Sequence, residues 1–514
     1  GLDPGIRTGV KLAAIDARTV LEDPLALTEL RLTFENVQER ILEGNFKIML
    51  PPGAALSRFA MKVDGEWQEA EMVEKQAARR AYEDFLHRKQ DPALLEQAPG
   101  NEFAARVFPI PARGKKEIIV TYSQSLDARA DYTLLLQGLA RLDNLSVRVH
   151  TSGIDKPLFE LQRKGFLPGS DLVVPVGRFQ RLGGLRAGNY VMARVVPIPK
   201  GDLAPDPLGA SVFLVDTSAS RALGLAEQTK VLASLVASLP PGSRVSVLAF
   251  DQTTEVVFDG QSTAFGAAEV SKLEARGALG ASNMARALTD ATAHAKARGD
   301  RPRRLVVLTD GVVTAGAHEA RELRGKLEGM TDSPFERIDA VVVGGLRDEN
   351  MLTQLVRGNL KTDGVVVDGK LPLAELKRRL DGSTRSKIDV HVEGATWAYP
   401  DQIDGVQPGD EVRIFAEVPE GKAPRIRLGE ATPIEPRLRE VEKPLLERAW
   451  ASAKIESLLA SPPSGDKEAG KRAIVAVSTK HRVLSPYTSM LVLETDADYN
   501  RFGIDRKAKL DVLT

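Results

Sequence analysis

The chain has no cysteine among its 514 residues. Disulfides, thiolate metal sites and a thiol nucleophile are therefore all excluded. That absence suits a cytosolic chain and equally an exported bacterial one. The compartment stays open, with export to the periplasm or cell surface slightly favoured over the cytoplasm. No apolar run is long enough to cross a bilayer as a helix. Net charge is lacking too: Lys plus Arg and Asp plus Glu both count 70. Phosphate binding wants a basic excess or stripe, so no nucleic-acid partner is expected. Histidine is sparse, with six residues scattered at His87, His150, His294, His318, His391 and His481. His318-Glu319 begins like a zinc-protease helix, but Glu322 stands where the second histidine belongs. A Gly-x-Ser-x-Gly elbow, a Walker loop and a dinucleotide glycine fingerprint are all absent. With no nucleophile beside a base at a defined place, the chain does not read as an enzyme. It opens Gly1-Leu2-Asp3-Pro4 without methionine, as a processed or excised piece would, any export signal already removed.

What is present centres on the run from Ser211 to Ser220. The apolar segment Val212-Phe213-Leu214-Val215 reads as a buried parallel strand and leads into Asp216-Thr217-Ser218-Ala219-Ser220. One carboxylate and two hydroxyls, alternating along a loop, form an all-oxygen set suited to a hard cation such as Mg²⁺, Mn²⁺ or Ca²⁺. The same residues would also serve as an Asx turn and a helix N-cap. Two further segments favour the cation. Arg304 to Leu308 reads as a second buried strand, followed by Thr309-Asp310-Gly311. Between the two, Gly280-Ala281-Ser282-Asn283 introduces a helix running to about Ala297 and adds another hydroxyl. Open α/β sheets place their ligand crevice at the carboxyl ends of such strands, so three loops would deliver oxygen to one edge.

Asp216, Ser218, Ser220, Ser282 and Asp310, in that order and on those elements, resemble the metal-ion-dependent adhesion site (MIDAS) of von Willebrand factor A domains. Ser282 departs from the usual Thr; it keeps the hydroxyl and loses the methyl that stiffens the rotamer. The resemblance implies hydroxyl ligands at Ser218, Ser220 and Ser282, with charge set by Asp216 and Asp310. One coordination position would stay open for a carboxylate from a partner protein. Thr217 and Asn283 are candidate rim residues, or alternatively plain caps.

Around this stretch, strands and helices alternate from about 208 to 383: a doubly wound α/β unit with one antiparallel edge strand at 254 to 258. Residues 1 to 135 read as mainly β. Asp64-Gly65 makes a tight hairpin turn between the strand-like runs beginning at Phe59 and ending at Trp67. A charged helix is expected from Glu71 to about Arg88. Val63-Asp64-Gly65, Glu74-Lys75-Gln76-Ala77-Ala78-Arg79, Asp91-Pro92-Ala93-Leu94-Leu95-Glu96 and Arg106-Val107-Phe108-Pro109-Ile110-Pro111 resemble the vault/inter-α-trypsin (VIT) domain over about residues 20 to 130. VIT ahead of A domain is the arrangement of inter-α-trypsin inhibitor heavy chains and their bacterial relatives. A β-sandwich with one flanking helix is thus expected for 1–135.

Residues 136–207 and 384–514 are expected to build a second, hybrid-like β-sandwich interrupted by the α/β unit at 208–383. In the second part, Glu442 to Leu459 is helical, a flexible loop follows at Ser461 to Gly465, and apolar runs at 473–478 and 489–494 flank Val483 to Thr488. The favoured function is a metal-dependent protein-binding or adhesion module. A scaffold whose ion only staples loops is a second reading, and a hydrolase using bound water a third, short of a general base.

Overall fold

The computed structural model describes residues 3–4, 9–88, 90–126, 131–176, 183–222, 224–317, 320–328, 332–358, 360–461 and 466–504. His318-Glu319, most of the 461–465 loop and the chain start at Gly1-Leu2 lie outside them. Two compact units emerge: 1–195 with 391–401 and 413–514, and 196–390 with 402–412.

In the first unit, a seven-stranded sheet runs in the order 159–166, 142–151, 10–22, 25–36, 115–125, 55–63, 66–69. A six-stranded sheet follows the order 3–4, 42–49, 102–110, 93–97, 488–492, 71–74. Alternate residues from both sheets, including Leu32, Phe34, Phe59, Val107, Val120 and Val492, enclose one apolar core. The expected hairpin is present. Val63 pairs with Glu66, and Asp64 (φ 49°) and Gly65 (φ 88°) take the two left-handed conformations that a tight primed turn requires.

The helix expected from Glu71 begins later, at Lys75, and runs to His87. Glu71–Glu74 is instead a strand paired with 488–491, and the Glu74 side chain caps the helix by accepting from the Gln76 and Ala77 N–H groups. The strand register won because Met72 and Val73 bury against a partner more than four hundred residues away, which no local pattern reveals.

Strands 183–187 and 190–195 share a five-stranded sheet with 397–399, 412–417 and 438–440. The β-branched run 473–478 lies in the helix Lys467–His481, where Ile474, Ser478 and His481 bury one stripe.

The second unit holds one six-stranded sheet in the order 254–261, 244–250, 211–216, 304–308, 337–342, 366–368. All neighbours are parallel except the edge strand 254–261, which runs antiparallel to 244–250. Every residue of 211–216 and of 304–308 is buried, as a sheet covered on both faces demands. Val212 and Leu214 face the helices 284–297, 320–328 and 349–356, while Phe213 and Val215 face 225–237 and 373–381. This is a doubly wound, Rossmann-like α/β sheet.

Candidate functional site

Strand order places the site. The chain leaves 211–216 toward a neighbour on one side and later returns to 304–308 on the other, which opens a crevice at the carboxyl edge between them. Val215 lies opposite Leu308, so Asp216 and Thr309 leave adjacent strands at the same height.

Asp216 is fully buried and binds three segments at once. One carboxylate oxygen accepts the Ser218 backbone N–H at 2.9 Å. The other accepts the Thr309 hydroxyl at 2.7 Å and the Ser282 hydroxyl at 3.4 Å. The Ser218 and Ser220 hydroxyls stand 3.2 Å apart. Ser282 is held from behind: its N–H donates to the Thr314 hydroxyl at 2.9 Å, and its carbonyl accepts from the Thr314 and Ala315 N–H groups. Asp310, also fully buried, accepts the Val312 N–H at 2.9 Å on one oxygen and faces the Arg221 guanidinium at 3.3 Å with the other. Gly311 between them takes φ 76°, and a Cβ there would meet the Leu352 side chain at 2.8 Å, so glycine is required.

The five residues anticipated from the sequence thus come to one sheet edge, four of them linked by oxygen contacts and Asp310 beside them. This arrangement lies inside a recognisable domain. The sequence matches the Vault protein inter-alpha-trypsin domain over residues 12–122 and the von Willebrand factor type A domain over residues 211–312. The chain carries a VIT domain and a VWA domain.

Solved structures that resemble it include the ArnB paralog VWA2 from Sulfolobus acidocaldarius, at 13% identity and TM-score 0.26, over 62% of this chain and 91% of that one. A von Willebrand factor type A protein from Catenulispora acidiphila aligns at 16% identity and TM-score 0.27, over 59% and 88%. The human COPII-coat protein Sec24c aligns at 12% identity and TM-score 0.28, over 56% and 52%. No curated protein matches the chain. VIT and VWA domains are usually non-catalytic, protein-binding modules.

Charge at the VWA edge is concentrated and poorly solvated. Burial, and next the nearby charge of Asp310, push the Asp216 carboxyl up to about 6, while hydrogen bonds from Ser218 and Thr309 pull the other way. Asp348, whose backbone N–H donates to the Asp310 carbonyl at 2.8 Å, is raised by burial. Among the described residues no group of three or more His, Cys, Asp or Glu side chains could hold a metal. The VWA set has two carboxylates, and its other oxygens are hydroxyls. By donor chemistry it fits a hard, oxygen-seeking cation.

Thr217 does not line a rim. It is fully buried, its hydroxyl donates to the Phe250 carbonyl at 3.0 Å, and it accepts from Arg276 at 3.1 Å. Asn283 caps the helix 284–297 by accepting the Arg286 N–H at 3.2 Å. Three participants escape sequence reasoning: Thr309, Arg221 and Gln228. Thr309 sits directly before the anticipated Asp310, and a hydroxyl at a strand end beside a buried carboxylate is the signal that marks it. Nothing local marks Arg221.

Proposed function

We propose that the VWA unit is a metal-ion-dependent protein-binding module of the MIDAS type. Asp216, Ser218, Ser220, Ser282 and Asp310 would hold Mg²⁺, with Mn²⁺ or Ca²⁺ as substitutes, and a partner protein would supply an Asp or Glu carboxylate. The observation that carries this reading is the Asp216 carboxylate, dry and raised to about 6, with the Ser282 hydroxyl on it and the Ser218 and Ser220 hydroxyls on the loop it anchors.

When bound, a divalent cation supplies positive charge in a partly dehydrated edge, where attraction for an incoming carboxylate is strong. The chain's own residues do the rest. Asp216 fixes the Ser218 loop, Thr309 orients Asp216, and the Thr314 and Ala315 amides fix the loop of Ser282. No step requires a bond to be made or broken, and the unit acts as a binder, not an enzyme.

A second reading has support of its own. Asp216 already bonds three segments, so an ion there would also staple the loops of a scaffold subunit. Partner capture from the native source with Mg²⁺ against EDTA, measured beside the melting temperature, separates the two. Capture lost at unchanged melting supports adhesion. A large melting drop with capture unaffected supports the staple and contradicts adhesion.

A further inference from the structure

A cation of the protein's own already stands at this sheet edge. Arg221 directly follows the serine loop and is almost completely buried. Its guanidinium meets Asp310 at 3.3 Å, donates to the Gln228 side chain at 2.9 Å and bonds the Val343 carbonyl. Gln228 in turn donates to the Asp216 carbonyl at 2.8 Å, so the fork is braced from the helix 225–237 as well. The loop is shaped around it: a Cβ at Gly224 would lie 2.8 Å from the guanidinium. Burying a guanidinium costs heavily unless it is paired, and here every direction of the fork meets an acceptor. The arrangement is built, not incidental.

We propose that Arg221 is the resident counter-ion of the VWA site: by neutralising Asp310 it weakens divalent-cation binding and lets the loops stay assembled between binding events. The inference rests on the metal-site reading above. Two buried carboxylates and one buried guanidinium leave a single net negative charge where the carboxylates alone would leave two. Oxygen sites tune cation affinity by ligand charge count. A unit charge a few ångström from a divalent one changes affinity by about tenfold even with water-like screening. Asp310 also has one oxygen on the Val312 amide and the other facing Arg221, so a metal bonded directly to it would share the carboxylate with the guanidinium.

The test uses the full chain and the metal alone. Mn²⁺ binding is measured by titration calorimetry at pH 8 for the native protein and for Arg221→Met, Arg221→Lys and Gly224→Ala, with melting temperature in EDTA and in Mg²⁺ as a second readout. Arg221→Met should bind Mn²⁺ at least about tenfold tighter than the native chain. Its melting temperature should fall in EDTA and gain more from Mg²⁺ than that of the native protein. Arg221→Lys, keeping the charge, should stay close to native. Gly224→Ala, which pushes the guanidinium aside, should bind tighter than native and serves alone if Arg221→Met does not fold. Equal or weaker Mn²⁺ binding by Arg221→Met and Gly224→Ala overturns the role of Arg221 and leaves the metal-site reading intact. Absence of Mn²⁺ binding in all four proteins overturns both.

Discussion

Asp216 makes the metal-free VWA unit less stable as pH rises through the mildly acidic range. In the folded chain its carboxyl is pushed up to about 6 by burial and by Asp310, whereas an unfolded Asp titrates near ~3.9. The folded state therefore holds this proton to higher pH than the unfolded state, so ionisation works against folding. Its cost is absent below about pH 4, grows between about 4 and 6, and is complete above that window. The gap between those two titration points corresponds to about 3 kcal/mol, or roughly 6–12 °C in melting temperature for a unit of this size. Other carboxylates titrate in the same range, so the informative quantity is the difference between the native chain and Asp216→Asn, followed in EDTA from pH 4.5 to 7.5. Relative to the variant, the native chain should lose about 2 kcal/mol between about pH 4.5 and 7.5, the rest of the loss lying below that range. Saturating Mg²⁺ should flatten the difference by holding Asp216 ionised throughout. A difference that stays constant with pH in EDTA would refute the claim that Asp216 is dry and crowded by Asp310.

Thr309→Val removes the 2.7 Å donor to Asp216 and the acceptor for the Gly311 N–H, and should cost about 1–3 kcal/mol by urea unfolding in EDTA; an unchanged midpoint argues against this brace. Arg304→Met leaves fully buried Asp339 short of one guanidinium partner and frees the Leu380 carbonyl, for a loss of about 3–5 kcal/mol in the same assay. A loss under about 1 kcal/mol would mean that Arg337 and the Val365 amide suffice for Asp339. Deleting residues 483–514 removes the strand between 93–97 and 71–74 and exposes two sheet edges. The truncated protein should bind hydrophobic dye and aggregate in size-exclusion chromatography; a dye-silent monomer contradicts that placement.

How far the fold is legible in the sequence depends on how local its causes are. The Asp64-Gly65 hairpin is readable because two adjacent residues accept positive φ. The alternation of buried strands and helices from 211 onward follows from runs such as Val212–Val215 and Leu305–Leu308, apolar on both faces. The antiparallel edge strand is marked by the short Thr-rich turn before it, although it extends to Gln261, beyond the 258 expected. The five candidate oxygen-bearing residues are legible as a group because Asp216 ends one buried strand, Asp310 lies two residues past the next, and the three serines sit in the turns between strand and helix. Arg221 is not, since an arginine after a serine loop normally points to solvent. It turns inward to Asp310 because the Val343 carbonyl and Gln228 of the helix 225–237 supply acceptors for it. The strand Glu71–Glu74 is hidden for a related reason: its partner strand, Thr488–Val492, lies at the far end of the chain. Helix Lys467–His481 shows a stripe of tertiary contacts overriding the β preference of Ile474, Val475 and Val477.

The most direct measurement is anomalous diffraction from crystals of the full chain soaked in Mn²⁺. A peak within coordination distance of the Ser218, Ser220 and Ser282 hydroxyls, beside Asp216, is the predicted result. No peak at that sheet edge, with the protein otherwise intact, would contradict the account.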